Sequence, residues 1–555
     1  MGIKRALLFS TGDRYFALAC NFATAAAVSR ILTPAEIGIS VIGMAVIGIA
    51  LSVREFVSGS FVIQRQDLGR DDVRAAFSAM LVLTGLITAA LTAVTPLLVA
   101  SYGEEKLALY LRLTSLCLFF DLIPIQVVAL LRRDMAFGKV AVINVSGAAA
   151  GACTTLALAW IGFSYMSFAW GWLATSIVTA LLALWLRPHF WMFKPSFRQW
   201  RAIAEFGGYN GVIVLLYKVY EALPFLLLGR IVSPHAAALF SRTLMVCQVP
   251  DKLVLGGAMS VFLPAFSAQA REGRDLKQPY LSSLEMVTAF HWPALLVLAA
   301  LAHPAIDIVL GSQWSEAVPL VQIVAVASLF TFSFELNYPV MVAMGSIREL
   351  FVRSLITIPV SATAMTASVV LGGLHGAALV TLFVIPFQAS VTLAFVRRRL
   401  CIEWSELAAA VRRSGIVALS SAAGPLAVAA AAGFTFELSL WLAAAAVVLA
   451  AFGWVAGLLI TRHPLLNEIS ASASALRRSL GSRFRLAAAA SADDEEGNAR
   501  WTKPVSTPTA AGNPGAKPNA CRCSRSASET RISRSIATAA AFSTQATNWI
   551  RNRTA

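Results

Sequence analysis

A chain of 555 residues that is 58% hydrophobic and only 13% charged, with a mean hydropathy of +0.71, cannot cover itself with polar surface. That excludes an ordinary soluble globule and points to an all-α polytopic membrane protein. The net charge of +16 invites a nucleic-acid reading, but the positions of the basic residues exclude it.

A membrane span needs about 20 mostly apolar residues, and a scan at that length predicts about fourteen. Lys4 and Arg5 precede an apolar stretch, as in a signal peptide. That stretch carries Asp13, Arg14 and Asn21 and runs directly into a Pro-containing turn, so it reads as a retained first span. The first six spans are expected near 10–32, 37–63, 76–101, 107–131, 139–161 and 164–186. Six more follow near 204–229, 236–265, 283–310, 316–344, 351–371 and 374–396, and a last pair near 413–433 and 437–461. The second, fourth, seventh and eighth are expected to be the least apolar. From about residue 464 the chain turns to Ala, Ser, Thr, Pro and Arg and reads as a mostly disordered tail, with room for one short helix near 470–486.

Lys and Arg fall in every second loop. Arg65, Arg70 and Arg74, then Arg132, Arg133 and Lys139, then Arg187, Lys194, Arg198 and Arg201 lie on one side. Arg271, Arg274 and Lys277, then Arg348 and Arg353, then the run Arg397 to Arg399 continue it. The other side has Lys106 and little else beyond two arginines at span ends. This bias places the basic side and both termini in the cytoplasm, and the surplus charge is topological.

Arg30-Ile31-Leu32-Thr33-Pro34 returns ~200 positions later as Arg230-Ile231-Val232-Ser233-Pro234, each time between the first and second span of a set of six. The fold predicted is therefore two pseudo-symmetric six-helix lobes around a central cavity, plus two extra C-terminal helices. The boundaries are 1–190 for the N-lobe, 191–203 for an interfacial linker with Trp191, Phe193 and Trp200, and 204–400 for the C-lobe. Residues 401–463 hold the last two spans and 464–555 the cytoplasmic tail.

A charge at mid-bilayer costs about 2.5–3.5 kcal/mol on insertion scales, so charged residues within spans face a cavity or a partner. The second span carries Arg54 and Glu55. The seventh carries Lys218 and Glu221, whose i,i+3 spacing suits either a self-neutralised pair or a cavity lining. The eighth carries Arg242, and then Asp251 and Lys252 after Pro250, where a helix break is expected. Asp121 precedes Pro124 in the fourth span and suits a proton or cation site, or an arginine partner. Glu335 lies in the tenth. Arg54, Lys218, Arg242 and Lys252 are the candidate substrate contacts. Glu55, Asp121, Glu221, Asp251 and Glu335 are the candidates for ion coupling or ion pairing. The seven Cys are scattered singly or paired as Cys521 and Cys523, and the six His are dispersed, so no metal or cofactor is expected. No phosphate-binding P-loop is present, which argues against an ATPase.

Several segments carry a family resemblance: Arg30-Ile-Leu-Thr-Pro-Ala-Glu-Ile-Gly38, Ala129-Leu-Leu-Arg-Arg-Asp-Met-Ala-Phe137, Leu228-Gly-Arg-Ile-Val-Ser-Pro234 with Phe240-Ser-Arg242, Val261-Phe-Leu-Pro264 and Gly311-Ser-Gln-Trp314. In this order they resemble the polysaccharide transporter branch of the multidrug/oligosaccharidyl-lipid/polysaccharide exporter superfamily, over roughly residues 1–460. The second turn departs from the pattern at His235-Ala-Ala-Ala238, where the first has Glu36 and Gly38. The resemblance implies a flippase, not an enzyme. It would move undecaprenyl-pyrophosphate-linked oligosaccharide across the bacterial inner membrane for exopolysaccharide, capsule or lipopolysaccharide assembly. Its implied partners are that substrate, membrane lipids and a polysaccharide polymerase with its export machinery. Three other readings stay open: a peptidoglycan lipid-precursor flippase, a cation-coupled drug exporter of the same superfamily, and an integral-membrane polysaccharide-assembly enzyme.

Overall fold

The computed structural model describes residues 3–54, 69–196, 200–433 and 437–470. These belong to the first of two units, Met1–Ala473; the second, Ser474–Ala555, lies outside the described residues. The expected disordered tail falls there, although residues 465–470 are still helical.

Among the described residues every ordered element is a helix or a helical turn. The first half contains α1 (Ile3–Ile31), α2 (Pro34–Val53), α3 (Arg70–Tyr102), α4 (Lys106–Phe120), α5 (Leu122–Arg133), α6 (Phe137–Ile161) and α7 (Met166–Leu186). The helices α4 and α5 form one span, jointed at Asp121. The second half contains α8 (Trp200–Ile231), α9 (Pro234–Arg271), α10 (Lys277–Ala300), the short α11 (Ala302–Val309), α12 (Val318–Ala327), α13 (Phe332–Ala343), α14 (Ile347–Leu379) and α15 (Thr381–Leu400). A hairpin of α16 (Trp404–Ala431) and α17 (Leu440–Thr461) follows. Among the described residues, helix therefore occupies each region expected to span.

Ten of these segments are long and apolar enough to cross a membrane, among the described residues. Fourteen were expected; α1, α8, α9 and α15 are not among the ten, and of the four expected to be least apolar, α2 and the α4–α5 span are. The sequence counted Arg54 within the second span, but α2 ends at Val53 and Arg54 is its C-cap. Pro250 and Pro264 do not break α9, which stays helical through both. Gly373, at φ +55°, instead divides α14 between the eleventh and twelfth predicted spans.

Small residues set the helix spacing. A Cβ on Gly151 would come within 2.0 Å of the Thr175 hydroxyl, joining α6 to α7, and one on Gly453 within 2.2 Å of the Ser420 carbonyl, joining α17 to α16. Between the halves, a 3-10 turn (Phe190–Phe193) buries Met192 and packs Phe193 edge-on against Phe77. Arg74 donates to the Lys194 and Pro195 carbonyls, so this linker is fastened to the start of α3.

The repeated turns explain how the halves meet. In the first, the Thr33 hydroxyl accepts from the Glu36 amide while the Glu36 carboxylate accepts from the Thr33 amide at 2.8 Å, a capping box with Pro34 at the helix start. In the second, Ser233 accepts from the Ala236 amide at 3.2 Å, and Ala236 supplies no reciprocal carboxylate. Gly38 in the first turn lies directly against the Pro234 carbonyl of the second, where a Cβ would sit 1.9 Å from the oxygen.

Candidate cavity between the two halves

Hydrogen bonds joining the halves gather at the end opposite the basic loops. Arg30 donates to the carbonyls of Asp307 and Ile308, at the C-terminal end of α11 where carbonyls lack helical partners. Gln313 donates to the carbonyls of Ser29 and Leu32, and the Trp314 indole to Ser29 at 2.7 Å. Tyr102 donates to the Leu226 carbonyl at 3.0 Å. This end is closed.

Roughly 10–20 Å further along the helices, at 1.5 Å rise per residue, a cavity of about 320 Å³ opens between α2, α7, α8 and α9. Lys218, Glu221 and Arg242 line it together with Ser40 and Ser241. Lys218 Nζ lies 2.6 Å from Glu221, and both side chains remain about half exposed. The i,i+3 pair read from the sequence is thus present, and it faces a void. Arg242 is buried; its Nε donates to the Ser29 hydroxyl at 2.8 Å, and its guanidinium lies 5.9 Å from the centre of the Trp314 ring. Ser29, Trp314 and Arg242 thereby link the closed end to the cavity. Two cations against one carboxylate leave the lining with a net positive charge.

The other predicted site residues are distributed elsewhere. Arg54 and Asp121 share a separate cavity of about 480 Å³ inside the first half, where Arg54 Nη1 lies 3.5 Å from the Leu118 carbonyl. Asp121 thus lies beside an arginine in one cavity, and Arg54 does not join Lys218 and Arg242. Lys252 lines a third, mostly apolar gap of about 640 Å³ between α1 and α9, with Tyr15, Asn21 and Phe22 opposite. Asp251 turns away from Lys252 and meets His291. Glu55 lies outside the described residues, as does the side chain of Glu335.

With this geometry the comparisons are decisive. A family profile described as "Polysaccharide biosynthesis protein" matches residues 27–319, more than half of the chain. The chain belongs to this family. It is 26% identical over 384 residues to the succinoglycan biosynthesis transport protein ExoT of Rhizobium meliloti (strain 1021), covering 67% of this chain and 75% of that one. It is 22% identical over 308 residues to the lipopolysaccharide biosynthesis protein WzxC of Escherichia coli (strain K12), covering 54% and 62%. The fold is similar to that of the lipid II flippase MurJ in its inward closed conformation. The TM-score is 0.68 at 10% identity, over 83% of this chain and 100% of that chain. The resemblance read from the sequence is borne out, and the protein is a multi-pass membrane member of a transporter family.

Sequence reasoning overlooked Ser29, Trp314 and His291. Ser29 and Trp314 are ordinary packing types at span ends, and only the tertiary fold reveals that they hold Arg242. His291 was grouped with five dispersed histidines. The one available signal was its place, without neighbouring charge, inside an apolar span.

Proposed function

We propose that this protein is a flippase that carries a polyprenyl-diphosphate-linked oligosaccharide from the inner to the outer leaflet of a bacterial cytoplasmic membrane. The cavity between the halves takes the diphosphate head and the lipid tail stays in the bilayer. The observation that carries this reading is the net positive Lys218–Glu221–Arg242 lining, placed between two halves and closed at one end. A diphosphate cannot cross hydrocarbon unaided, and a buried guanidinium offers it planar, charge-assisted hydrogen bonds. At about 320 Å³ the cavity is at the lower limit for a small-molecule site. It suits the head, and a whole repeat unit requires the halves to part.

The six-helix halves at 1–190 and 204–400 rock about the interface, and residues 401–463 flank them. The basic loops and both termini are cytoplasmic, so the closed end is periplasmic. Lys252 in the lateral gap and Arg54 in the first half are further anion contacts along the path. Glu221, Asp121, Asp251, Glu55 and Glu335 are the carboxylates available for ion coupling. The products feed exopolysaccharide, capsule or lipopolysaccharide assembly, in concert with a polymerase and its export machinery.

The test is export of surface polysaccharide by a strain whose own gene is deleted. K218Q and R242Q are each expected to reduce export at least about tenfold, the effect of losing roughly 1.4 kcal/mol of head-group binding. Native-level export by both variants, at matched membrane abundance, would refute the site.

A further inference from the structure

The cavity between the halves does not use every buried titratable group. Within the second half, Asp251 of α9, His291 of α10 and Thr331 at the start of α13 meet in one knot. His291 Nε2 contacts an Asp251 carboxylate oxygen. The Thr331 hydroxyl lies 3.2 and 3.3 Å from the two Asp251 oxygens and 3.3 Å from His291 Nε2. The His291 side chain is wholly buried, and among the described residues its Nδ1 has no hydrogen-bond partner. Asp251 keeps 21% of its side chain exposed.

Three mechanically soft points converge here. Asp251 follows Pro250, which removes one intrahelical hydrogen bond from α9. His291 is two residues from Pro293 in α10, and Thr331 follows the 3-10 turn Ser328–Phe330. The knot therefore ties α9 to α10 and α13 one residue past Pro250, where α9 lacks one intrahelical hydrogen bond. Its neighbours Val249, Lys252 and Leu253 line the gap towards α1.

We propose that Asp251 and His291, beside the Thr331 hydroxyl that also donates to the Ser328 carbonyl at 2.8 Å, form a proton-binding site whose occupancy sets the bend of α9. The proposal rests on the alternating-access reading above. With one proton on imidazole Nε2 and a carboxylate opposite, the knot carries one negative charge in the interior. Taking a further proton from water that reaches the exposed edge of Asp251 makes the pair neutral, which the interior tolerates far better. Losing it leaves a lone carboxylate drawn towards the gap, where the Lys252 ammonium lies one residue on. Proton uptake thus holds α9 against α10, and proton loss releases it.

A hard monovalent cation is a poor alternative occupant, because one carboxylate and one hydroxyl supply few oxygens and an imidazole nitrogen faces the same point. The other titratable groups nearby are few. Cys247, one turn back on α9, faces Asp251. Glu285 lies about 9 Å down α10 and forms a separate knot with Arg413 and His463. His303 and Asp307 of α11 lie more than three turns along, α12 brings no titratable group, and the Glu335 side chain of α13 is outside the described residues.

The test uses the full chain in lipid nanodiscs, with spin labels on a genetically encoded ketone amino acid in place of Ala19 and Leu253, on either side of the α1–α9 gap. Pulsed electron–electron distances are recorded from about pH 5.5 to about pH 8.5, the range over which histidine pairs switch. The native background is expected to show two populations whose ratio moves by up to about tenfold per pH unit, the limit for one coupled proton. The conformation described here should lose weight as pH rises. D251N, neutral at every pH, should stay in the low-pH population, and H291Q should change by less than about twofold across the range. A native distribution independent of pH, or a D251N variant that titrates like the native chain, overturns the proposal. So does a shift on replacing potassium by sodium at fixed pH. No substrate is present, so a failure here leaves the Lys218 and Arg242 export result standing, and the reverse holds equally.

Discussion

Gly38 shows how one residue sets the approach of the two halves. With the Pro234 carbonyl oxygen 1.9 Å from the position of a Cβ, even a methyl group requires the turns to separate. Overpacking of this kind costs about 1–3 kcal/mol, so G38A is expected to lower the thermal midpoint of the detergent-solubilised protein by several degrees. Gly85, with open space around it, is the comparison: G85A should match or exceed the native midpoint. Equal midpoints for G38A and the native chain would show that the turns do not bear on each other. At this scale the sequence was legible where partners are close in the chain. The spacing of Lys218 and Glu221 already offered their contact as one of two readings. It was illegible where the partner lies on another helix: Asp251 and His291 are 40 positions apart, and in helices apolar all round no periodicity shows which faces meet. Arg54 was grouped with Lys218 and Arg242 by charge alone, whereas it lines a separate cavity with Asp121.

Among the elements, the α16–α17 hairpin is tied to α10 by the Trp454 indole, which donates to the Ala289 carbonyl at 2.9 Å, and by His463 just past the end of α17. His463 Nδ1 accepts from the Leu465 amide at 3.2 Å, and Nε2 lies 3.3 Å from the Ser414 hydroxyl. Burial holds this imidazole below its ordinary 6.5, with Glu285 pulling upward and Arg413 pushing down. A depressed value means that the released chain takes up the proton first. The stabilisation is complete above about pH 6.5 and is lost as pH falls. Protonation also removes the acceptor that receives the Leu465 amide. Hydrogen exchange over residues 461–470, corrected for intrinsic rates, should therefore accelerate between about pH 7.5 and about pH 5.5. H463N, which keeps an acceptor but cannot titrate, should not show the acceleration; an equal acceleration in both would remove His463 as the cause. The ends of α2 and α9 were legible because Thr33-Pro34 and Ser233-Pro234 are strong helix starts. The joint at Ser328–Phe330 was not, since the apolar run crosses it with little change of composition, and Asp121 with Pro124 marked the other joint only as a polar site within a span. Pro250 misled in the other direction: flanking helices support α9 through a residue that would weaken it in isolation.

For the whole molecule, the duplicated turn predicted two equivalent halves, but no feature of the sequence said at which end they close. The closing contacts use main-chain carbonyls at Ser29, Leu32, Asp307 and Ile308, and a carbonyl acceptor has no signature in the amino-acid code. Holding this end shut should arrest transport. Gln313 reaches the Leu32 carbonyl at 3.2 Å, so L32C with Q313C can be joined by a short cleavable thiol crosslinker. Export of surface polysaccharide is expected to stop on crosslinking and to recover on cleavage, with each single variant unaffected. Continued export by the fully crosslinked protein would mean that this end never opens.

The bare backbone contact of Gly38 with Pro234 also acts as a fulcrum. It lies at one extremity of α2, which at 20 residues is about 30 Å long, so a tilt of about 10° displaces its far end by about 5 Å while the pivot scarcely moves. Widening towards the arginine-rich loops therefore leaves the carbonyl clasps intact, whereas opening the opposite mouth must undo them and shift the pivot itself. In the proposed cycle the two strokes are therefore mechanically unequal, and the one that opens the clasped end is expected to be the slower.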